Sequence, residues 1–240
     1  MTDRPDGATA DRRAMRAAVA VTAAGLLAFF ACLVAVEAGP RLAPLDATVR
    51  RGSLDAIAAL PEALVRTVTD LGALPTTTGL VALTALALVA VRRPRAAVAL
   101  VVGLLAIFVT VQLVKSGVGR ERPPGHDPTL VTASYPSGHA AYSTAWTAVA
   151  LALTSAWQRA RGISHARVLV VVIAVLMTVA IGATRTLLSA HYLSDVLGGW
   201  GLGAALFGLA TVVTLGVGPM RQTSSPSVEA PAPERSRSTA

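Results

Sequence analysis

The sequence predicts an all-α protein, a polytopic membrane helical bundle with about six transmembrane helices. Of its 240 residues, 53% are hydrophobic and only 14% are charged, whereas about a quarter of the residues in soluble proteins are charged. The mean hydropathy is +0.60. The charges are clustered, so that six stretches of 17 to 25 residues contain none. About 20 helical residues cross a hydrocarbon core of about 30 Å, and at this length only helices satisfy their own backbone in lipid.

The six uncharged stretches are the expected spans, in order along the chain. They comprise residues 17–36, 71–91, 96–114, 140–158, 168–184 and 196–220. A soluble helical bundle would need polar outer faces, which these segments lack. The first stretch is similar to a signal peptide, but its apolar run is long for one and Val36-Glu37-Ala38 is a poor cleavage site. We therefore interpret it as a retained span.

The membrane domain is expected to extend over residues 15–217, between two polar ends. Residues 1–14 and 218–240 are predicted to be disordered cytoplasmic tails, because neither has the composition to bury a core. Thirteen of the 21 Lys and Arg residues fall in these tails, at Arg16 just before the first span, and in the connections after the second and fourth spans. The positive-inside rule therefore predicts a multi-pass protein of the cell membrane with both termini cytoplasmic. The net charge of +8 reflects this bias rather than nucleic-acid binding.

The longest connection, residues 40–75, contains apolar side chains at near-helical spacing. These are Leu54, Ile57, Leu64, Val68 and Leu71. The spacing predicts an amphipathic helix over residues 52–71. This helix would lie on the outer membrane surface, or it would pack on the bundle as an ordinary loop helix.

Three polar clusters fall on the outer side of the membrane in this topology. They are Lys115 to Pro123 after the third span, Tyr135 to His139 before the fourth, and Arg185 to Asp195 between the fifth and sixth. Ionisable groups at membrane depth are costly and are usually functional. Their convergence on one side predicts a single extracytoplasmic site.

The first cluster contains two cations at a helical interval. Lys115 and Arg122 are seven residues apart, so a continued helix would place both on one face, although Gly117 and Gly119 weaken that helix. Two cations directed at one spot repel each other unless an anion lies between them. Alone, the pair is also compatible with an ordinary flanking cluster at a helix end.

The second cluster opens the fourth span. Ser137 is a good N-cap residue, and Gly138 lets a ligand approach the backbone closely. The first turn of a helix offers unpaired N–H groups and the positive end of the dipole, which favour an anion. His139 would lie beside that anion.

The third cluster contains Arg185 and a His–Asp pair. His191 and Asp195 are four residues apart, hence on one face if helical. A carboxylate that accepts a hydrogen bond from the imidazole fixes its tautomer and makes the other ring nitrogen a better nucleophile or base. Such a pair alone is as often structural as catalytic.

Taken together, the three motifs resemble those of the type 2 phosphatidic acid phosphatase superfamily. They read Lys115-(six residues)-Arg122-Pro123, Pro136-Ser137-Gly138-His139 and Arg185-(five residues)-His191-(three residues)-Asp195. The resemblance covers the six-span core, about residues 15–217. Thr184 departs from the usual Ser but keeps the hydroxyl.

The resemblance implies a metal-independent lipid phosphate phosphatase without a cofactor. It assigns His191 as the nucleophile that forms a phosphohistidine, Asp195 as the residue that orients it, and His139 as the acid for the leaving oxygen. The phosphoryl oxygens would be held by Lys115, Arg122, Ser137, Gly138 and Arg185. The partners are then the bilayer and a lipid phosphate substrate, while the oligomeric state stays open.

Other functions compete with hydrolysis. A lipid phosphotransferase would share the phosphohistidine and differ only in its acceptor. A transporter would need charges near the span centres, whereas these lie at the ends. A zinc hydrolase could draw on His126, Asp127 and the two motif histidines, but the ligand spacing of zinc enzymes is missing. Phosphatidic acid, phosphatidylglycerol phosphate and polyprenyl phosphates or diphosphates all fit as substrates.

Overall fold

The computed structural model describes residues 7–39, 43–161 and 165–216, and within these ranges the chain forms eight helices and no strand. They are α1 (Gly7–Glu37), α2 (Ala43–Ile57), α3 (Glu62–Asp70), α4 (Leu74–Ala90), α5 (Pro94–Val118), α6 (Gly138–Arg161), α7 (His165–Leu187) and α8 (Leu193–Gly216). The prediction of an all-α bundle is confirmed.

Four of the described helices, α1, α5, α7 and α8, are long and apolar enough to cross a membrane. The number rises to five if α3 and α4, which meet at a bend of 47°, cross together. Each of the six predicted spans coincides with a long helix, but α4 has only 17 residues and α6 is not among the four. The chain is thus a multi-pass membrane protein with four or five spans recognisable in the described ranges, where we expected about six.

The ends of the predicted domain differ from expectation in one respect. Helix α1 begins at Gly7, so residues 7–14 are helical rather than part of a disordered tail. Residues 1–6 and the predicted tail 218–240 lie outside the described residues.

The predicted amphipathic segment 52–71 is divided between two helices. Helix α2 ends at Ile57 and α3 begins at Glu62, directly after Pro61. A proline lacks the N–H that a continuous helix would need at this position, so the chain breaks here. Helix α3 buries Val65 and Thr69 and contacts α7, while α2 contacts α7 and α8. The segment therefore packs on the bundle.

Helix α8 lies at the centre of the bundle and contacts α1, α2, α5, α6 and α7. Its glycines permit this close packing: a Cβ on Gly201 would lie 2.8 Å from the Gly25 oxygen and 2.8 Å from the Phe29 nitrogen. The start of α8 lies beside the end of α5, the start of α6 and the end of α7. The three polar clusters of the sequence occur at these helix ends, so the fold places them at one end of the bundle.

Candidate active site

The turn between α7 and α8 fixes the backbone of His191. The Arg185 carbonyl oxygen accepts hydrogen bonds from the Ala190 nitrogen at 3.0 Å and the His191 nitrogen at 3.1 Å. Ser189, inside the turn, adopts the left-handed conformation with φ of 50°. This turn ends α7 with Arg185 in its last turn and presents the buried His191 just before α8 begins.

The imidazole of His191 lies between a carboxylate and a guanidinium. Its Nδ1 is 3.5 Å from Asp195 Oδ2, and its Nε2 is 3.3 Å from Arg122 Nη1. Ser134 Oγ donates to the same carboxylate oxygen at 2.5 Å and lies 3.4 Å from Nδ1. A carboxylate on Nδ1 stabilises the tautomer whose Nε2 carries the lone pair. The predicted His191–Asp195 pairing is therefore present, although His191 precedes the helix that carries Asp195.

Burial lowers the pKa of His191 to about 4, although the hydrogen bond and the charge of Asp195 act in the opposite direction. The charges of Arg185 and Lys115 lower it further. The imidazole is consequently neutral at pH 7, the form in which Nε2 can attack an electrophile.

Arg122 reaches the site from a loop and not from a continued helix. Helix α5 ends at Val118, and Gly119 caps it in the left-handed conformation with φ of 63°, so the helix does not continue from Lys115 to Arg122. Arg122 is held instead by carbonyl oxygens, through Nε to Thr132 at 2.8 Å and through Nη1 to Ala190 at 2.7 Å. Burial lowers the pKa of Arg122, with the Asp195 charge opposing the shift.

Lys115 and Arg185 bring two more buried cations to this end of the bundle. Lys115 Nζ donates to the Ala133 carbonyl oxygen, which fixes the ammonium against the loop before α6. Arg185 Nε is buried and has no hydrogen-bond partner among the described residues. A buried donor left unpaired costs about 1–3 kcal/mol, so an anion that accepted a hydrogen bond from this Nε would remove that cost.

The second motif forms the start of α6 as predicted. Ser137 is the N-cap: its Oγ accepts from the Ala140 nitrogen at 3.4 Å. Its own nitrogen donates to the Asp195 carbonyl oxygen at 3.0 Å, which connects this motif to the third. Gly138 is buried, and the half-buried His139 interacts electrostatically with Arg185 and His191. All eight predicted site residues thus belong to one connected region.

A second ionic group supports Asp195, and the sequence analysis did not identify it. Arg120 donates through Nη1 to Asp195 Oδ1 at 2.5 Å and through Nη2 to Asp46 Oδ2 at 2.9 Å. Asp46, on α2, also accepts from the Ser194 backbone nitrogen at 3.0 Å and from its hydroxyl at 2.6 Å. Burial alone would lower the pKa of Arg120, but its hydrogen bonds and charge interactions with Asp195 and Asp46 have the larger effect and raise that pKa.

Among the described residues, no three His, Cys, Asp or Glu side chains are grouped in a way that could hold a metal ion. Arg122 Nη1 lies 3.3 Å from Nε2 of His191, and the charges of Arg185 and Lys115 also act on this imidazole. Such a site is suited to an anion.

Comparison with known sequences and structures identifies the family. The profile of the PAP2 superfamily matches residues 96–217, just over half of the chain. The chain belongs to the PAP2 superfamily. The matched region begins in α5 and contains all three motifs, so the resemblance predicted from the motifs is confirmed. No curated protein sequence shows a significant match to this chain.

A solved structure shares the fold of this PAP2 superfamily member. It is described as the first transmembrane PAP2-type phosphatidylglycerolphosphate phosphatase from Bacillus subtilis. The TM-score is 0.69 at 20% sequence identity, and the match covers 82% of this chain and 99% of the other. At this identity the similarity establishes the fold, which is that of a transmembrane protein.

Proposed function

We propose that the chain is a membrane-embedded phosphatase that hydrolyses a phosphate monoester or diphosphate of a lipid through a phosphohistidine. The observation that carries this proposal is the placement of His191. Its Nδ1 faces a buried carboxylate and its Nε2 faces a guanidinium. A neutral, oriented imidazole beside fixed positive charge has what attack on a phosphate ester requires.

In the first step, Nε2 of His191 attacks phosphorus, and the bond from phosphorus to the lipid oxygen breaks. His139 gives its proton to the departing oxygen, which leaves as an alcohol or, from a diphosphate, as a lipid monophosphate. His191 becomes a phosphohistidine, and Asp195 stabilises the positive charge on its ring. In the second step, water attacks phosphorus, His139 takes the water proton, and inorganic phosphate leaves as Nε2 regains its lone pair.

The phosphoryl oxygens are held by Lys115, Arg122 and Arg185, together with the start of α6 at Ser137 and Gly138. In the transition state the negative charge spreads over three equatorial oxygens, and preorganised donors stabilise that charge. The unpaired Nε of Arg185 supports this role. Because these cations supply the charge stabilisation, we propose that the reaction needs no metal ion.

The position of the site supports a class of substrate, and the distribution of arginines supports a side of the membrane. A site at the ends of membrane helices suits an amphiphile whose headgroup reaches the interface while its tail stays in lipid. The solved PAP2-type structure makes phosphatidylglycerol phosphate one candidate, beside phosphatidic acid and polyprenyl phosphates or diphosphates. The distribution of arginines favours an extracytoplasmic site with both termini cytoplasmic.

The test is phosphate release from a panel of these lipids by purified protein. We expect release that chelator leaves nearly unchanged and that orthovanadate, a five-coordinate phosphoryl mimic, inhibits. Loss of activity in chelator that zinc or magnesium restores would overturn the metal-independent mechanism. Transfer of phosphate to an added alcohol in preference to water would favour the phosphotransferase, which shares the first step.

A further inference from the structure

A cavity, called here the α2 pocket, lies next to Asp195 and Arg120 on the side of α2. It has a volume of about 470 Å³, and its lining includes Asp46, Arg50, Arg51, Arg120, Pro124 and Tyr192. Three of these side chains are cations and one is an anion. Within the described chain, the single carboxylate of this α2 pocket is already engaged by Arg120 and Ser194.

The other two arginines have no carboxylate partner among the described residues. Arg50 Nη2 donates to the Pro124 carbonyl oxygen at 2.7 Å, but its buried Nε has no acceptor in the described chain. Arg51 donates to the Thr48 hydroxyl at 3.3 Å. Arg50 is thus fixed in place with a buried donor unused, which favours an anionic ligand.

The α2 pocket lies on the Nδ1 side of His191, whereas the proposed attacking atom is Nε2. Arg120 contacts Asp195 Oδ1, while Asp195 Oδ2 faces Nδ1 of His191. The phosphoryl group belongs on the opposite ring nitrogen, beside Arg122. Arg120, Asp195 and the imidazole therefore separate the pocket from the reacting phosphorus, so its ligand is a molecule other than the substrate.

The location of α2 identifies the kind of ligand. Helix α2 begins at Ala43, close in sequence to the end of the α1 span at Glu37. Leu54 follows Arg51 by three residues on the same helical face and is 43% exposed, and Leu45 is 50% exposed. A helix that carries both arginines and exposed leucines is typical of the membrane interface, where the arginine stems lie along apolar surface and the charged groups stay in water. Phosphate groups of anionic lipids are the anions present there.

We propose that the α2 pocket binds the phosphate headgroup of an anionic membrane phospholipid, distinct from the substrate, through Arg50 and Arg51. The guanidinium of Arg50 meets the phosphate inside the pocket, and Arg51 meets it from the exposed side. The ring of Tyr192, 4.2 Å from Cζ of Arg120, closes the pocket towards the catalytic side. The distinction between this ligand and the substrate rests on the proposed role of His191, whereas lipid binding itself is measured without turnover.

The experiment measures retained lipid on the full chain by native mass spectrometry in detergent, with phosphatidylglycerol and phosphatidylcholine titrated separately. We expect one phosphatidylglycerol molecule to bind more tightly than phosphatidylcholine. The double variant Arg50→Gln/Arg51→Gln should weaken phosphatidylglycerol binding by about tenfold or more, since each basic residue near the surface contributes to anionic-lipid attraction. Arg92→Gln, in the turn between α4 and α5, is the matched control and should bind as the parent chain does.

A second variant tests the proposal independently in case the double variant misfolds. Ala47→Glu adds a carboxylate to the pocket at an exposed position and should cause the same selective loss. Equal binding of both lipids by the parent chain, or unchanged phosphatidylglycerol binding in the variants, would overturn the proposal. Displacement of the lipid by inorganic phosphate at equal concentration would show a free-ion site instead. A rise in the KM of the variants confined to substrates with two phosphate groups would show a substrate subsite, which also contradicts it.

Discussion

At the scale of single residues, the orientation of His191 depends on groups from four segments of the chain. Asp195 uses one carboxylate oxygen for Arg120 and the other for Ser134, the Tyr192 nitrogen and His191. Arg120 is in turn held by Asp46. The proposed nucleophile is thus positioned by a buried network. His139 and Arg122, which we propose to act beside it, lie outside that network.

The two histidines should respond differently to the leaving group. His191→Ala removes the covalent step, so hydrolysis of every substrate should fall alike. His139→Ala removes only the proton donor, which should cost about 10²–10⁴-fold on an alkyl phosphate. The aryl oxide of an aryl phosphate leaves without that proton, so the hydrolysis of this ester should fall much less. The measurement is kcat/KM of each variant on one alkyl and one aryl phosphate.

Two outcomes of this comparison would change the assignment. Equal losses of His139→Ala on both esters would mean that His139 binds phosphate and does not transfer a proton. Rescue of His191→Ala by the aryl ester would mean that the two histidines are assigned in reverse.

Asp46 should act on catalysis through Arg120. Asp46→Asn leaves the charge of Arg120 directed at Asp195 alone, which weakens the support that Asp195 gives to a positive imidazole. We expect kcat to fall by about tenfold with KM nearly unchanged, on the scale of about 1.4 kcal/mol per tenfold. In the proposed mechanism the neutral form of His191 is the active one, and its pKa is about 4, so we expect kcat/KM of the parent to fall as the pH drops through that value. In the variant the positive imidazole is less stabilised, so this fall should move to lower pH.

Asp55→Asn is the control for this prediction, because Asp55 is exposed on the same helix. Removal of one partner of a buried ion pair also destabilises the fold by several kcal/mol, so the thermal midpoint is measured beside the pH profile. An unchanged pH profile with reduced stability would assign Asp46 a structural role only.

The sequence predicted the residues that face the phosphate better than those that support them. His191, Asp195 and Arg122 are recognisable because their residue types and spacings form motifs. Asp46 lies 148 residues from Ser194, on a helix with no pattern that relates it to the motifs. Arg120 stands two residues before Arg122, and its proximity to the motif was the only available signal. Contacts between distant segments depend on tertiary packing, which local spacing does not encode.

At the scale of elements, charge-free runs locate the long helices but not every break between them. The runs 96–114 and 168–184 lie within α5 and α7. The segment 52–71 has the spacing of one helix, yet Pro61 divides it. Likewise, the seven-residue interval from Lys115 to Arg122 fits a helix, but Gly119 ends α5 first. In both cases backbone chemistry outweighed side-chain periodicity.

The packing of α8 on α1 should be sensitive to a single methyl group. Gly201→Ala places a Cβ 2.8 Å from backbone atoms of Gly25 and Phe29, which cannot rotate away. We expect a loss of about 1–3 kcal/mol, the usual cost of overpacking, seen as a lower thermal midpoint in detergent. Gly79→Ala is the control: in α4, a Cβ at this residue would meet no described atom within 4 Å, so its midpoint should be unchanged or slightly higher. Equal midpoints for both variants would show that α1 and α8 pack less closely.

At the scale of the whole molecule, the bundle is asymmetric from end to end. The proposed catalytic groups lie at the end of the bundle where α5 and α7 finish and α6 and α8 begin. Arg92, Arg93 and Arg95 stand at the turn between α4 and α5, at the other end of α5. Since short cytoplasmic connections are rich in basic residues, this arrangement favours an active site that faces away from the cytoplasm.

Thiol labelling in intact cells tests this orientation. In a Cys32→Ser background, Thr129→Cys lies in the exposed loop between α5 and α6, at the catalytic end. Ser164→Cys lies outside the described residues, between the end of α6 at Arg161 and the start of α7 at His165. A membrane-impermeant maleimide should label the first in intact cells and the second only after permeabilisation, because the proposed topology places the two positions on opposite sides of the bilayer. Both variants are neutral substitutions, so they leave the arginine distribution intact. The reverse pattern would place the active site in the cytoplasm, and with it the lipid substrate in the inner leaflet.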